Sequence, residues 1–325
     1  MERRETILSV RNISIEYPIS IGVVKAVEDV SLTLDDGEAL GLVGESGCGK
    51  STLGLSLLKL LRPPGRVTGG QLLYRGTDIL GLGNHELLSL RGRNIAMIFQ
   101  NPLTSLNPLF TVRSHFLETI HFHDPSMPTA RATEAVEKML ATLGIERKRL
   151  TEYPHQLSGG MRQRIMIGLA LIMNPDILIA DEPTTSLDVI VEAGFTQLLA
   201  DLRRLYRLSI ILITHNLGLV AEIADRIAVM YAGKLMEVAS AREIFSRPLH
   251  PYTQGLISCV PNIRLEQKEL VTMPGSPPNL AAPPAGCRFA PRCPKVMPIC
   301  REKAPALIEH EPGHSAACWL SGRKD

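Results

Sequence analysis

Residues 44–51 constrain the fold of this chain more than any other segment, because they read Gly-Glu-Ser-Gly-Cys-Gly-Lys-Ser. Glycines at this spacing let successive backbone N–H groups converge on phosphate oxygens at the start of a helix. The apolar run at 39–43 is typical of a buried strand, and residues 52–58 have the pattern of a helix. A strand, a glycine-rich loop and a helix in this order predict an α/β fold that binds a phosphate group.

Two side chains of this loop are predicted to bind the phosphates and their metal ion. Lys50 is placed to reach the terminal phosphates of a nucleotide as a point charge, and the Ser51 hydroxyl is placed to ligate the bridging Mg²⁺ ion. Backbone donors build the remainder of the phosphate cradle. The residues that we predict to bind the nucleotide here are Gly44, Glu45, Ser46, Gly47, Cys48, Gly49, Lys50, Ser51 and Thr52.

A second apolar run, residues 177–180, ends in two adjacent acids, Asp181 and Glu182. Such a run predicts a buried parallel strand whose carboxyl end opens at the active site. Neighbouring residues of a strand point to opposite faces, so the two acids are expected to have separate tasks. We assign Asp181 to the magnesium shell, directly or through water, and Glu182 to the attacking water as its general base.

With residues 157–160, which read Leu-Ser-Gly-Gly, these motifs make the first three quarters of the chain resemble the nucleotide-binding subunit of an ATP-binding cassette (ABC) transporter. The resemblance implies an α/β P-loop NTPase fold over residues 1–245, with a RecA-like core, an antiparallel β subdomain and an α-helical subdomain at about 101–167. Residues 8–34 alternate as antiparallel strands do, and one helical face of the subdomain is apolar. The residues of that face are Ala132, Val136, Met139, Leu140 and Leu143.

The same resemblance implies that the chain works as a dimer. In this family, residues matching Ser158, Gly159 and Gly160 cap the ATP that the partner subunit holds. A helix that begins at Gly160 would offer unpaired N–H groups and a positive dipole end to the terminal phosphate across the interface. ATP would then join the two subunits, and its hydrolysis would release them.

Gln100 also takes its predicted role from the resemblance. It ends the apolar stretch 95–99 and matches a glutamine that senses Mg²⁺, the attacking water and the membrane partner. In relatives a short helix of the membrane subunit enters a groove near this position, which places residues 101–108 beside the expected groove. We therefore count Gln100 among the catalytic and magnesium-binding residues.

Three more residues match motifs of the family. Asp188 belongs to the Ser-Leu-Asp segment 186–188, which matches the loop that touches the opposite subunit. His215 follows the strand-like residues 210–214 and matches the switch histidine that contacts the terminal phosphate. Tyr17 stands where the family places an aromatic ring under the adenine, and an ordinary strand tyrosine is the alternative.

Cys48 departs from the resemblance, since relatives more often have serine at this position. The cradle should survive because backbone donors build it. A thiol near the positive end of a helix has a lowered pKa. We therefore expect a thiol reagent to alkylate Cys48 and to inactivate the protein, and we expect ATP to protect it.

The composition of the chain argues against nucleic-acid binding and against a membrane-spanning segment. The 325 residues are 45% hydrophobic, which supports a sizeable core, and a formal net charge of +2 indicates no nucleic-acid surface. The N-terminus lacks an apolar signal core, and no run approaches the roughly 20 apolar residues that span a bilayer. A role at the membrane must therefore depend on partner subunits.

Beyond about residue 245 the chain becomes proline-rich, and four of its six cysteines cluster between positions 287 and 318, while Cys48 and Cys259 stand apart. Disulfides are disfavoured in a cytosolic ATPase, so clustered cysteines favour a thiolate-bound metal. Zinc and an iron–sulfur cluster both accept such ligands, and the spacing matches the usual pattern of neither. The spacing therefore leaves the metal undecided. The four residues are Cys287, Cys293, Cys300 and Cys318.

This tail, residues 246–325, resembles the C-terminal extension of ATPases that serve dipeptide and oligopeptide importers. The matching segments are 249–253, 286–294 and 313–318. Some members of that group carry a 4Fe-4S cluster on four such cysteines, so the resemblance implies a structural cluster here. Zinc and a set of reduced thiols remain the alternatives.

The combined pattern predicts an ATP-hydrolysing subunit of a bacterial peptide importer, peripheral on the cytoplasmic face of the inner membrane. Two transmembrane permeases, a second homologous ATPase and an extracytoplasmic binding protein would complete it, and a homodimer is equally compatible with these residues. Because cargo does not touch this subunit in the expected mechanism, nickel, glutathione, a sugar or an antimicrobial peptide are alternative cargoes. A soluble ABC ATPase is disfavoured, since the chain has neither a long coiled-coil insertion nor a second cassette.

Overall fold

Strands and helices alternate along most of the chain in the computed structural model, which describes residues 5–20, 22–100, 106–185, 188–259 and 273–321. The chain divides into two units, one of Met1–Leu80 with Leu212–Asp325 and one of Gly81–Ile211. The strands are β1 (Thr6–Ile19), β2 (Gly22–Asp35), β3 (Ala39–Val43), β4 (Arg66–Tyr74), β5 (Thr77–Asp78), β6 (Ile95–Ile98), β7 (Ile177–Asp181), β8 (Ser209–Thr214), β9 (Arg226–Tyr231), β10 (Lys234–Ser240), β11 (Ile308–Glu311) and β12 (His314–Ala316). The helices are α1 (Lys50–Ser56), α2 (Asn84–Leu90), α3 (Val112–His123), α4 (Thr129–Thr142), α5 (Gly159–Leu171), α6 (Val189–Tyr206), α7 (Leu217–Ile223), α8 (Ala241–Ser246), α9 (Pro251–Ser258) and α10 (Pro298–Glu302).

The first unit contains an antiparallel sheet in the order β2-β1-β4-β5. β1 and β2 form a long hairpin, and β1 also pairs with β4. Ile13, Ile15 and Val30 are fully buried on the covered face, since alternate residues of a strand point to the same side. The predicted antiparallel strands of residues 8–34 are confirmed.

A second sheet in the same unit joins the core of the chain to its tail. All residues of β3 are buried, as expected for a parallel strand that is covered on both faces, and β3 runs parallel to β9 with Val43 opposite Val229. β9 returns through a hairpin to β10, and β10 pairs with β12 with Val238 opposite Ser315. β11 completes the edge by pairing with β12. The C-terminal residues thus extend a sheet that begins in the core.

A buried carboxylate strengthens this junction. Glu237 of β10 is completely buried and accepts a hydrogen bond from the equally buried His314 of β12 at 2.7 Å. The same carboxylate accepts the backbone N–H groups of Leu249 at 2.7 Å and His250 at 2.9 Å, at the start of α9. A buried polar group is tolerated when its hydrogen bonds are made, and Glu237 makes three between separate segments.

The second unit contains the parallel pair β6 and β7, with Ile95 opposite Ile177. Its helices α3, α4 and α5 pack against one another around Phe116 and Ile165, which are completely buried. Every residue of the apolar face predicted between positions 132 and 143 is buried, which confirms the predicted helical subdomain. Among the helices of the described ranges, none is long and apolar enough to cross a membrane.

Candidate nucleotide-binding and catalytic site

The phosphate-binding loop connects β3 to α1, as predicted. Gly44 and Gly49 have φ angles of 155° and 103°, which residues with a side chain rarely adopt. A Cβ atom at Gly44 would collide with the carbonyl oxygen of Met230, and one at Gly49 would collide with that of Ala26. Glycine is therefore required at both positions for β9 and β2 to lie against the loop.

Lys50 is the first residue of α1 and is buried. Its ammonium group donates hydrogen bonds to the carbonyl oxygens of Gly44 at 2.8 Å and Glu45 at 3.0 Å. These bonds hold the charge against the backbone of the loop, and Ser51 follows on the same helix. The two side chains predicted to meet the phosphates and Mg²⁺ therefore stand together where the helix begins.

The predicted lowering of the pKa of Cys48 is wrong. Cys48 is only 4% exposed, and its sulfur lies 3.7 Å from the Lys50 ammonium. Burial raises the pKa of the Cys48 thiol above its ordinary value, and the Lys50 charge offsets only part of that rise. A thiol needs both access and ionisation to react, and the packing around the loop opposes both.

The two predicted acids follow one another at the end of β7 in the second unit. Asp181 is buried, whereas Glu182 has a left-handed φ of 45°, which is uncommon for a residue other than glycine. Gln100 Nε2 and Thr185 Oγ1 each donate a hydrogen bond to Glu182 Oε2, both at 3.0 Å. These two donors fix the direction of the carboxylate, so the structure brings together Gln100 and Glu182, which were assigned to one reaction.

The Leu-Ser-Gly-Gly motif lies at the start of α5. Ser158 is the N-cap, and its hydroxyl accepts the backbone N–H of Met161 at 3.3 Å. The helix begins at Gly159, one residue before the predicted start at Gly160. Ser158 and Gly159 are exposed, so a helix of 13 residues presents its positive end to the surface of the unit.

Asp188 caps the next helix of the same unit in a similar way. Its Oδ1 accepts the backbone N–H of Val191 at 2.9 Å, and the residue is exposed. A carboxylate at this position satisfies an N–H group that the helix itself leaves unpaired. Residues 186 and 187 of the predicted contact segment lie outside the described residues.

Two other predicted nucleotide contacts belong to the first unit. His215 directly follows β8 and is exposed, while the next residue, Asn216, caps α7 by accepting the N–H of Gly218 at 2.9 Å. The chain thus turns at His215 between a strand and a capped helix. Tyr17 lies in β1, half-buried, and its ring contacts Gly65 so closely that a Cβ there would collide with it.

Comparison with known proteins identifies the family. The ABC transporter family matches residues 27–185, and the family described as oligopeptide/dipeptide transporter, C-terminal region, matches residues 236–300. The dipeptide transport ATP-binding protein DppD of Bacillus subtilis is 46% identical, over 98% of this chain and 96% of its own length. The oligopeptide transport ATP-binding protein OppD of Escherichia coli is also 46% identical, over 98% and 94%. This chain belongs to the ABC transporter family.

Solved structures agree with the assignment. The ATP-binding cassette MJ0796, in a dimeric post-hydrolysis state bound to ADP and Pi, is 27% identical with a TM-score of 0.65, and the match covers 72% of this chain and 99% of that one. The predicted ABC cassette fold is therefore confirmed. The chain is an ATPase, and the nucleotide of this family is ATP, bound with Mg²⁺.

Two contacts of the phosphate-binding loop in this ABC ATPase were not predicted from the sequence. Glu45 of the phosphate-binding loop forms an ion pair with Arg292 at 2.7 Å, and its backbone N–H donates to the hydroxyl of Tyr252 at 2.9 Å. These partners lie 247 and 207 positions away along the chain. Local sequence patterns carry no signal over such separations, so only the packed fold shows that the tail reaches the loop.

The four clustered cysteines of the tail form no disulfide bonds and lie near one another. The pKa of Cys287 is raised to about 11, mainly by burial and in smaller part by the charges of the nearby Cys300, Cys318 and Cys293. The backbone N–H of Cys287 also donates to the carbonyl oxygen of Cys300 at 2.7 Å. In the described part of the chain, no three His, Cys, Asp or Glu side chains converge as the ligands of a single metal ion do.

Proposed function

We propose that this ABC ATPase energises the import of dipeptides or oligopeptides across an inner membrane, at whose cytoplasmic face it acts. The match of residues 236–300 to the oligopeptide/dipeptide transporter C-terminal region carries this proposal, together with the peptide transporters among the relatives. A cassette alone would not carry it, because one fold serves many cargoes. The tail extends the sheet of the cassette through β10 and β12, so it is an integral part of the subunit.

The catalytic cycle that we propose uses two cassettes. Lys50 and Ser51 of one subunit bind the phosphates and Mg²⁺, and Ser158, Gly159 and Gly160 of the partner cap the same ATP. The exposed positive end of α5 supports this role, because it suits an anionic ligand. A ligand that binds only the closed dimer stabilises it, and hydrolysis removes much of that stabilisation.

The hydrolytic step depends on residues of the second unit. We assign Glu182 as the general base, Gln100 as the residue that orients it and the attacking water, and Asp181 as a ligand of the Mg²⁺ shell. The two hydrogen bonds to Glu182 Oε2 support this assignment, since they hold the carboxylate in a fixed direction. His215 contacts the terminal phosphate, Asp188 faces the opposite subunit, and Tyr17 stacks on the adenine.

Two transmembrane permeases, a second homologous ATPase and an extracytoplasmic binding protein complete the proposed transporter. Apolar side chains near the predicted groove support docking of a permease: Leu109 is 80% exposed, and Phe99 and Phe110 are exposed as well. Large exposed apolar side chains are typical of surfaces that bind a partner. Residues 101–105 of the predicted groove lie outside the described residues.

We further propose that residues 1–245 form the cassette and residues 246–325 an extension that holds a structural 4Fe-4S cluster. The four cysteines support this proposal, because Cys293, Cys300 and Cys318 lie near enough to Cys287 for their charges to act on its thiol. Anaerobic purification followed by iron, sulfide and zinc analysis tests this. Iron and sulfide at about four each per chain would support the cluster, and zinc or metal-free thiols would contradict it.

The transport proposal is tested by capturing partners of the tagged Glu182→Gln variant from gently solubilised native membranes with ATP present. We expect two permeases and a sister ATPase, because the slowly hydrolysing variant retains the closed dimer. Recovery of the same chain alone would indicate a homodimer. Recovery of ribosomal or DNA-repair proteins without permeases would overturn the transport assignment and leave the ATPase chemistry in place.

A further inference from the structure

Glu45 is the residue at which the phosphate-binding loop and the tail meet. Its carboxylate accepts two parallel hydrogen bonds from the Arg292 guanidinium, with Nη1–Oε2 and Nη2–Oε1 distances of 2.7 Å and 3.0 Å. Paired bonds of this kind fix the angle between the two groups as well as their distance. The Arg292 side chain is only 5% exposed, so solvent screens the pair little.

Arg292 is itself held by two further bonds. Its Nε donates to the carbonyl oxygen of Pro274 at 2.9 Å, and its Nη1 donates to the hydroxyl of Tyr231 at 3.2 Å. Every terminal nitrogen of the guanidinium therefore has a partner. Arg292 is a rigid support for the loop, because turning it away from Glu45 would break several bonds at once.

Tyr252 holds the main chain of the same loop residue. Its hydroxyl accepts the backbone N–H of Glu45 at 2.9 Å, and its ring is completely buried. The ring centroid lies 4.6 Å from that of Tyr231 and 5.3 Å from that of Phe289. Packing on two aromatic neighbours fixes the position of the hydroxyl. The tail thus contacts Glu45 twice, once through its side chain and once through its backbone.

The carbonyl oxygen of Glu45 connects this residue to the predicted nucleotide-binding lysine, Lys50. This oxygen accepts a hydrogen bond from the Lys50 ammonium at 3.0 Å. A shift of Glu45 would therefore disturb Lys50, the lysine that we expect to bind the terminal phosphates. We propose that Arg292 and Tyr252 are positioning residues for nucleotide binding. They hold Glu45, and through it the phosphate-binding loop, in the conformation that receives ATP. The tail therefore contributes to nucleotide binding by fixing the conformation of the phosphate-binding loop.

Two substitutions test the proposal in the full chain. Arg292→Met removes the guanidinium group and keeps an unbranched apolar side chain, and Tyr252→Phe removes only the hydroxyl group. We expect each to raise the Kd for MgADP and the KM for ATP by about 10-fold, which corresponds to the loss of one good hydrogen-bonding group. We expect kcat to change much less, since the Glu182 carboxylate and its donors are untouched. Fluorescent-nucleotide titration and phosphate release measure these quantities.

Arg247→Met is the matched control, because it removes an exposed ion pair of the same tail, between Arg247 and Glu311. It should leave the Kd for MgADP unchanged. The double variant of Glu45→Gln with Arg292→Met should bind MgADP about as tightly as either single variant, because both remove the same interaction. Arg292→Lys should recover only part of the affinity, since an ammonium cannot form both parallel bonds.

Unchanged Kd values in folded Arg292→Met and Tyr252→Phe would overturn the proposal. An equal loss in Arg247→Met would also overturn it, because the effect would then come from a general loosening of the tail. Thermal unfolding of each variant shows whether it is folded. If Arg292→Met does not fold, Tyr252→Phe decides the question, because that variant keeps the buried ring and its aromatic contacts.

Discussion

The substitution Glu182→Gln tests the proposed catalytic base with a minimal change of shape. A general base contributes about 10²–10⁴-fold to a rate, which corresponds to about 3–5 kcal/mol of transition-state free energy. The amide oxygen of glutamine can still accept the hydrogen bonds that Gln100 and Thr185 donate at 3.0 Å, so the local structure should persist. We therefore expect kcat to fall by about 10²–10⁴-fold while ATP binding and the thermal midpoint stay close to those of the wild type.

The assay combines steady-state phosphate release with ATP titration and size-exclusion chromatography. The variant should accumulate as an ATP-bound dimer, because it binds the ligand that stabilises the dimer and does not remove it. Thr185→Val is the matched control: it removes one of the two donors and leaves the base, so the rate should fall by only about 10-fold. Phosphate release by Glu182→Gln at a near-normal rate would refute the assignment of the base.

Three further predictions concern buried groups. Cys48 should resist iodoacetamide at neutral pH, because it is buried and its pKa is raised; peptide mass spectrometry should find the half-buried Cys259 labelled first, and faster labelling of Cys48 would contradict this. Glu237→Ala should lower the free energy of unfolding by about 3–5 kcal/mol in denaturant titrations, since it leaves two N–H groups and a buried histidine without their acceptor. Glu237→Gln should lower the free energy of unfolding by a smaller amount. Burial lowers the pKa of His250 from 6.5 to about 4, so the unfolded chain binds a proton that the folded chain does not, and stability should fall by about 3 kcal/mol as the pH drops from 6.5 to 4. The variant His250→Asn, which keeps an acceptor at the N-cap of α9, should show a smaller loss over the same range, and an equal loss would contradict the argument.

Local sequence patterns were sufficient to predict the structure of the motifs. The glycines at 44 and 49 could be placed in a phosphate-binding loop from sequence, because their positive φ angles belong to the loop itself. The end of the strand at Asp181 and the start of α5, predicted within one residue, follow from equally local patterns. These features depend on residues within a few positions of one another.

Long-range packing decided the features that the sequence did not predict. Cys48 was expected to be reactive because it precedes a helix, but the packing around the loop buries it and raises its pKa. The contacts of Glu45 with Arg292 and Tyr252 likewise depend on how the tail folds back on the core. Neither effect has a signature in a window of sequence, since each arises when distant segments meet.

The most direct test of the proposed function is ATP-driven uptake of a labelled dipeptide or oligopeptide into proteoliposomes that contain the captured transporter and its binding protein. The account predicts uptake that requires ATP and stops when the Glu182→Gln variant replaces the wild-type chain, with no uptake of nickel, free glutathione or sugars. Uptake of one of those solutes in place of peptides, at the same dependence on ATP, would contradict the assignment of the cargo.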